Sequence, residues 1–176
     1  MSLESGSKFE KGVLFGSFDI WHAGDALMVK SAKKKCKHLT VGLEVSSIRK
    51  NLVNSLQERY LVLDSVADID EIIVYDSEIE LINILRVVTP DIRFLGDDYR
   101  PPDCGEVDGF SPYTSYEWGE YMNNTIVGYS WCRDICFIDR EHGYSTTGVK
   151  DKIVSKHMET FIDARGYVND TTRETV

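Results

Sequence analysis

Two short stretches hold the residue types that do chemistry on phosphates. The first, "GSFDIWHAGD" from Gly16 to Asp25, follows an apolar run and places Ser17, Phe18, Asp19, Trp21 and His22 ahead of a helix-like pattern. The second, "DREHGYSTT" from Asp139 to Thr147, brings Arg140 and then Ser145, Thr146 and Thr147 to the start of another. Each reads as strand, tight loop and helix, and the first turn of a helix offers amide donors that favour anions. Gly16 and Gly24 permit close approach of backbone to ligand. His22 can donate to a phosphate oxygen, and Arg140 offers a planar fork of donors. Taken singly, His22 is equally a turn histidine satisfied by hydrogen bonds, and Ser145 or Thr146 simply a helix cap. Facing one another, they would form two jaws of a polyphosphate clamp. Asp25 stands against that reading, because a carboxylate repels phosphate.

The elements that would position these residues alternate along the chain. Apolar runs at 13–15, 39–44, 71–76, 91–96 and 134–139 read as strands. Helical spacing appears at 24–36 through Leu27, Met28, Ala32 and Cys36, and at 55–67 through positions 56, 60, 63 and 67 with Ser55 as cap. It returns at 78–88 and from Ser145 onward. Short, fully apolar strands such as "IIVY" and "ICFI" suit a sheet covered on both faces. The expected fold is α/β, a Rossmann-like three-layer sandwich around a five-stranded, mostly parallel sheet. In such sheets ligands gather beyond the carboxyl ends of strands where strand order reverses. That draws in "GLEVSSIRK" after the second strand and "GDDY", with Gly96, Asp97 and Asp98, after the fourth. Residues 1–11 are expected to be flexible, 12–158 to form the domain with an insertion at 99–131, and 159–176 to be a tail. The insertion mixes Tyr99, Tyr113, Tyr116, Trp118 and Tyr121 with acids and suggests a short helix at 115–122. It fits a lid with Arg100 meeting an acceptor phosphate, or a subunit contact or surface loop, equally well.

Composition narrows the partners. Across 176 residues, 29 acidic and 20 basic side chains give a net charge of −9, which disfavours nucleic acid but leaves small anions free to feel a local field. The run "KKKCKH" at 33–38 lies at a helix end, where cations complement the carbonyl dipoles. Cys36, Cys104, Cys132 and Cys136 lack metal-site spacing and read as free thiols. No apolar segment is long enough for membrane insertion, and "MSLESGSKFEKG" lacks a signal core, so a cytoplasmic location is expected.

These residues resemble the cytidylyltransferase-like nucleotidyltransferases, in particular the glycerol-3-phosphate cytidylyltransferases and heptose-phosphate nucleotidyltransferases. "GSFDIWHAGD" is similar to their G-x-F-D-x-x-H-x-G-H, "REHGYSTT" to R-T-E-G-I-S-T-T, "DIRFLGDDY" to D-x-F-x-x-G-D-D-W, and "QERYLVLDSVADIDEIIVYD" to the segment in which Arg59 opens a helix. The resemblance covers about residues 12–158. It implies transfer of a nucleoside monophosphate from a triphosphate to a phosphorylated alcohol or sugar, with release of pyrophosphate. It implies catalytic contacts from His22, Lys50 (Arg49 the weaker candidate) and Arg140. Nucleotide contacts would come from Gly16, Ser17, Phe18, Asp19, Gly24, Asp25, Gly96, Asp97, Asp98, Ser145, Thr146 and Thr147. It brings Mg2+ with the triphosphate, CTP or another nucleoside triphosphate as donor, and glycerol 3-phosphate or a similar polyol or sugar phosphate as acceptor. A homodimer is expected, with no protein-held metal. Alternatives are an adenylyltransferase forming an ADP-sugar and an inactive nucleotide-binding or regulatory protein. The last exists because Asp25 replaces the motif's second histidine, leaving it to hold magnesium, to turn aside and bond Lys or Arg while His22 works alone, or to abolish catalysis. Glu141 and His142 replace a threonine and a glutamate, and His142 is expected to restore some positive character.

Overall fold

A computed structural model describes residues 8–46, 51–100 and 126–170, of which 161–170 are described as helical backbone only. The strands are β1 (Phe9–Gly16), β2 (Cys36–Glu44), β3 (Glu71–Tyr75), β4 (Ile92–Gly96) and β5 (Asp134–Ile138). The helices are α1 (Ala23–Lys35), α2 (Leu56–Asp64), α3 (Glu78–Val88) and α4 (Thr146–Asp170). All five strands pair in parallel in the order β3-β2-β1-β4-β5. The sheet is thus wholly parallel, and the chain reverses its direction of travel between β1 and β4. The crevice expected of such sheets opens there, between Gly16 and Gly96.

Side chains of alternate strand positions feed two cores. Leu14, Leu39, Val41, Leu43, Ile92 and Phe94 pack with Val29 and Ala32 of α1 and Leu63 of α2. On the other face Val13 and Tyr75 pack with Leu81, Ile84 and Leu85 of α3. Ile126, where the described chain resumes within the expected insertion, is buried with Leu95 and Ile135. Arg93, buried in β4 with its guanidinium 5.0 Å from the Phe15 ring centre, donates to the Val127 carbonyl and ties that returning segment to the sheet.

Several expected boundaries move. β1 starts at Phe9, paired with Cys36, so residues 9–11 belong to the sheet and not to a flexible leader. Cys36 opens β2 instead of ending α1, and Leu27 is 42% exposed while Val29 is buried. Beyond 158 the chain remains helical to Asp170. α2 ends at Asp64, its Ser55 cap accepting from the Glu58 amide while Glu58 accepts from the Ser55 amide, a closed capping box. The expected helix at 115–122 lies outside the described residues.

The most consequential correction is on α2. The apolar spacing put Tyr60 inside, yet Tyr60 is 39% exposed and Arg59 is 1% exposed. The Arg59 guanidinium donates to the carbonyls of Ser17 (2.8 Å), Glu44 (2.6 Å), Val45 (2.8 Å) and Asn54 (3.3 Å). Those of Ser17, Glu44 and Val45 stand at the ends of β1 and β2, that of Asn54 just before α2, and a planar fork reaches all of them at once. We expect Arg59→Lys to destabilise the protein by roughly 3 kcal/mol, because one ammonium cannot satisfy carbonyls on three segments. Urea unfolding monitored by circular dichroism measures this, and a wild-type midpoint would contradict it.

Candidate functional site

His22 is the N-cap of α1. Its Nδ1 accepts from the backbone amides of Gly24 (3.0 Å) and Asp25 (3.3 Å). Asp25 completes the reciprocal half of the box by accepting from the His22 amide at 3.0 Å. The reading of His22 as a turn histidine satisfied by hydrogen bonds therefore holds. With Nδ1 occupied as acceptor, the proton of the neutral ring sits on Nε2, the atom left to meet a ligand. Asp25 turns aside onto the backbone and sits at the positive end of α1, where a carboxylate is favoured.

Asp19 is 4% exposed and holds the loop from inside. Its carboxylate accepts from the amides of Val53 (2.7 Å) and Asn54 (2.9 Å) and from Lys150 Nζ (2.9 Å). Burial alone would raise its pKa, but the hydrogen bonds from Asn54, Lys150 and Val53 bring it below the ordinary 3.8. Phe18, just before it, adopts the left-handed backbone region at φ 47°, a conformation that costs energy and persists where surroundings enforce it. Ser17 is also buried.

α4 meets this loop directly. Ser145, not Thr146, is the cap: its Oγ accepts from the Gly148 amide at 3.0 Å. A Cβ added to Gly24 would lie 3.0 Å from the Tyr144 carbonyl and 2.9 Å from the His22 ring, so only glycine lets the two turns approach this closely. The starts of α1 and α4 thus converge on the same end of the sheet. Lys150, one turn into α4, spans them by bonding Asp19 and the Asn51 carbonyl (3.0 Å). Sequence reasoning passed over Lys150. The available signal was its place four residues beyond Thr146, one helical turn on and on the same face.

Arg140 completes the lip above β4. Its Nη1 pairs with Asp98 at 3.1 Å and its amide donates to Asp97 at 3.2 Å. Gly96 packs against the Arg140 stem, 2.9 Å from the added Cβ to Cδ. The pair is half exposed, and exposed ion pairs are weak, so a phosphate can compete with Asp98 for the guanidinium. His142 departs from expectation: its Nδ1 accepts from the Tyr144 amide at 3.1 Å and its ring stacks on Tyr144, so it shapes the loop. Lys50 and Arg49 lie outside the described residues. Among the described residues, no group of three or more His, Cys, Asp or Glu side chains is placed to hold a metal ion, and no helix is long and apolar enough to cross a membrane.

The sequence profile of the family described as cytidylyltransferase-like matches residues 13–152. Among curated proteins the chain is similar to the bifunctional protein HldE of Helicobacter pylori strain P12, 26% identical over 150 residues, covering 82% of this chain and 28% of that protein. It is 28% identical over 167 residues to the bifunctional protein HldE of H. pylori strain J99, covering 89% of this chain and 31% of the relative. The chain therefore spans under a third of the length of these relatives, 28% and 31%. Among solved structures it is similar to the lipopolysaccharide core biosynthesis protein of Thermoplasma volcanium, at 25% identity and a TM-score of 0.47 over 55% of this chain and 80% of that one.

Two outcomes follow from the geometry. Asp25→Ala removes the carboxylate from the α1 terminus and is expected to cost about 0.5 to 1 kcal/mol, with Asp25→Asn retaining part of it because its amide oxygen still accepts; thermal unfolding of the two variants tests the order. Asp19 has a folded pKa below its unfolded value of about 3.9, so its stabilisation is complete above that pH and is lost as pH falls through the lower folded value. Asp19→Asn should lower stability at neutral pH and flatten the decline below about pH 4 seen in acid titration of the wild type.

Proposed function

This chain belongs to the cytidylyltransferase-like family, and on that premise we propose that it moves a nucleoside monophosphate from a nucleoside triphosphate to a small phosphorylated sugar or polyol, releasing pyrophosphate. The observation that carries the proposal is the meeting of the α1 and α4 starts at Gly24 and Tyr144, with Lys150 linking Asp19 across them. Two helix termini and three kinds of donor then face one crevice. The acceptor phosphate is already anionic at neutral pH, so no protein base is needed. What the site must supply is in-line alignment, relief of repulsion between two anions and neutralisation of the departing pyrophosphate.

In this reading His22 Nε2 donates to the phosphate under attack, and its cap fixes the ring so that no reorientation accompanies the reaction. Arg140 exchanges Asp98 for a phosphate oxygen, and the α4 terminus with Ser145, Thr146 and Thr147 cradles the leaving phosphates. Lys50 belongs to the same proposal as a further contact to the phosphates. Asp19 and Asp25 act on the frame, not on the substrate. Mg2+ arrives with the triphosphate, bound chiefly by its oxygens, as suits an ion that keeps its own waters. The resemblance to heptose-phosphate nucleotidyltransferases supports the ADP-sugar form of the proposal, with ATP as donor. The "GDDY" and "GYSTT" resemblance supports CTP and glycerol 3-phosphate. A homodimer belongs to the same proposal.

Pyrophosphate release from each nucleoside triphosphate, with Mg2+ and a panel of phosphorylated sugars and polyols, tests donor and acceptor together. His22→Ala is expected to reduce turnover about 100- to 1000-fold, the effect of removing one donor to a charge that develops in the transition state. Asp25→His should also lower turnover, since it takes away the carboxylate that anchors the His22 amide. Full turnover in His22→Ala would refute the assigned role, and nucleotide binding without product across the panel would favour a non-catalytic nucleotide-binding protein.

A further inference from the structure

The loop between β5 and α4 carries a preformed aromatic platform that neither the triphosphate clamp nor the sheet uses. Tyr144 is 48% exposed, yet its position is heavily determined. Its ring stacks on His142 with centroids 5.3 Å apart and planes at 22°. Its amide donates to His142 Nδ1, its carbonyl abuts Gly24, and the next residue is the cap of α4. Gly143, at φ 70°, makes this fold of the chain possible, and its amide closes the turn onto the Arg140 carbonyl at 3.2 Å. The result is a large ring held in place on one side and open to solvent on the other, at the mouth of the crevice.

An exposed tyrosine in a mobile loop would need no explanation. One braced by a stacked histidine, two backbone contacts and a left-handed glycine has met its ordering cost before any ligand arrives. A flat, open π-face suits a flat partner, and the only extended planar group in a nucleoside triphosphate is its base. Resting on the proposed nucleotidyltransferase function, we infer that Tyr144, backed by His142, stacks the nucleobase of the donor nucleotide while its phosphates occupy the clamp beside Ser145. Stacking is tolerant of base identity, because every base offers a π-face. The platform therefore contributes affinity for the nucleoside portion and leaves the choice between ATP and CTP to other contacts.

Calorimetric titration of the full chain with ATP, CTP and inorganic tripolyphosphate separates the base from the phosphates. Tyr144→Ala should weaken ATP and CTP about tenfold while leaving tripolyphosphate within about twofold, and Tyr144→Phe, which keeps the ring, should bind like the wild type. His142→Ala, which removes the backing ring, should weaken the nucleotides by a smaller factor and again spare tripolyphosphate. Equal weakening of nucleotides and tripolyphosphate, or no change in either, would overturn the platform while leaving the clamp intact. A wild-type protein that binds neither nucleotide nor tripolyphosphate would overturn the clamp and the platform together.

Discussion

A single buried guanidinium sets the geometry on which the rest relies. Where β1 and β2 end, the backbone carbonyls of Ser17, Glu44 and Val45 turn to a buried guanidinium. Arg59 supplies it from α2 and donates to all three, and to Asn54 as well. Four carbonyl dipoles serve the charge in place of a counter-ion, and the charge serves four acceptors that would otherwise be unsatisfied. Each half is costly to bury alone, so the arrangement is strongly cooperative. Its consequence is positional: the loop after β1 is fixed relative to the end of β2 before any ligand is considered.

From that fixed point the loop is built outward by residues that look ill suited to an anion site. Asp19 lies beneath it and gathers two amides and Lys150, which brings α4 in. Asp25 closes the box around His22 and so presents Nε2 rather than Nδ1 to the crevice. A carboxylate in place of a histidine thus changes what the start of α1 does. Part of its donor capacity is spent on the cap, so in the proposed reaction the task of meeting phosphate falls to the His22 ring and the α4 terminus. The replacement is coherent with its surroundings, since an aspartate in the first helical turn is favoured by the dipole and by its own hydrogen bond.

What was legible in the sequence followed from periodicity and punctuation. Five apolar runs separated by helical patterns fixed the sheet and its helices, and polar residues beyond each run located the crevice. The helix start at Ser145 was visible because a hydroxyl cap precedes a periodic pattern. What stayed hidden were the interactions that run against residue type. A burial pattern assigns Tyr60 to the inside because it is apolar in part, whereas the carbonyls that recruit Arg59 come from residues 14 to 42 positions away in the chain, apart from Asn54, and leave no trace in local spacing. The pairing of Lys150 was hidden for the same reason, since its partner Asp19 is 131 residues distant, and its spacing from Thr146 marks only the face it occupies. The role of Asp25 was locally encoded, three residues from its donor, but a capping box opened by histidine falls outside the usual Ser or Thr pattern.

A net charge of −9 opposes a phosphate site at long range, and the acids nearest the crevice sharpen the difficulty. Asp19, Asp25, Asp97 and Asp98 all lie on its loops. Each, however, is engaged: Asp19 with Lys150 and two amides, Asp25 with the His22 amide, Asp97 with the Arg140 amide and Asp98 with the Arg140 guanidinium. Fields at close range are set by where donors and acceptors point, not by the sum of charges over the surface. The acids here hold donors in place, and the weakest of these bonds, the half-exposed pair of Arg140 and Asp98, is the one a phosphate can displace at least cost. An acidic chain can present a basic face to a ligand when its carboxylates are spent on positioning the groups that form that face.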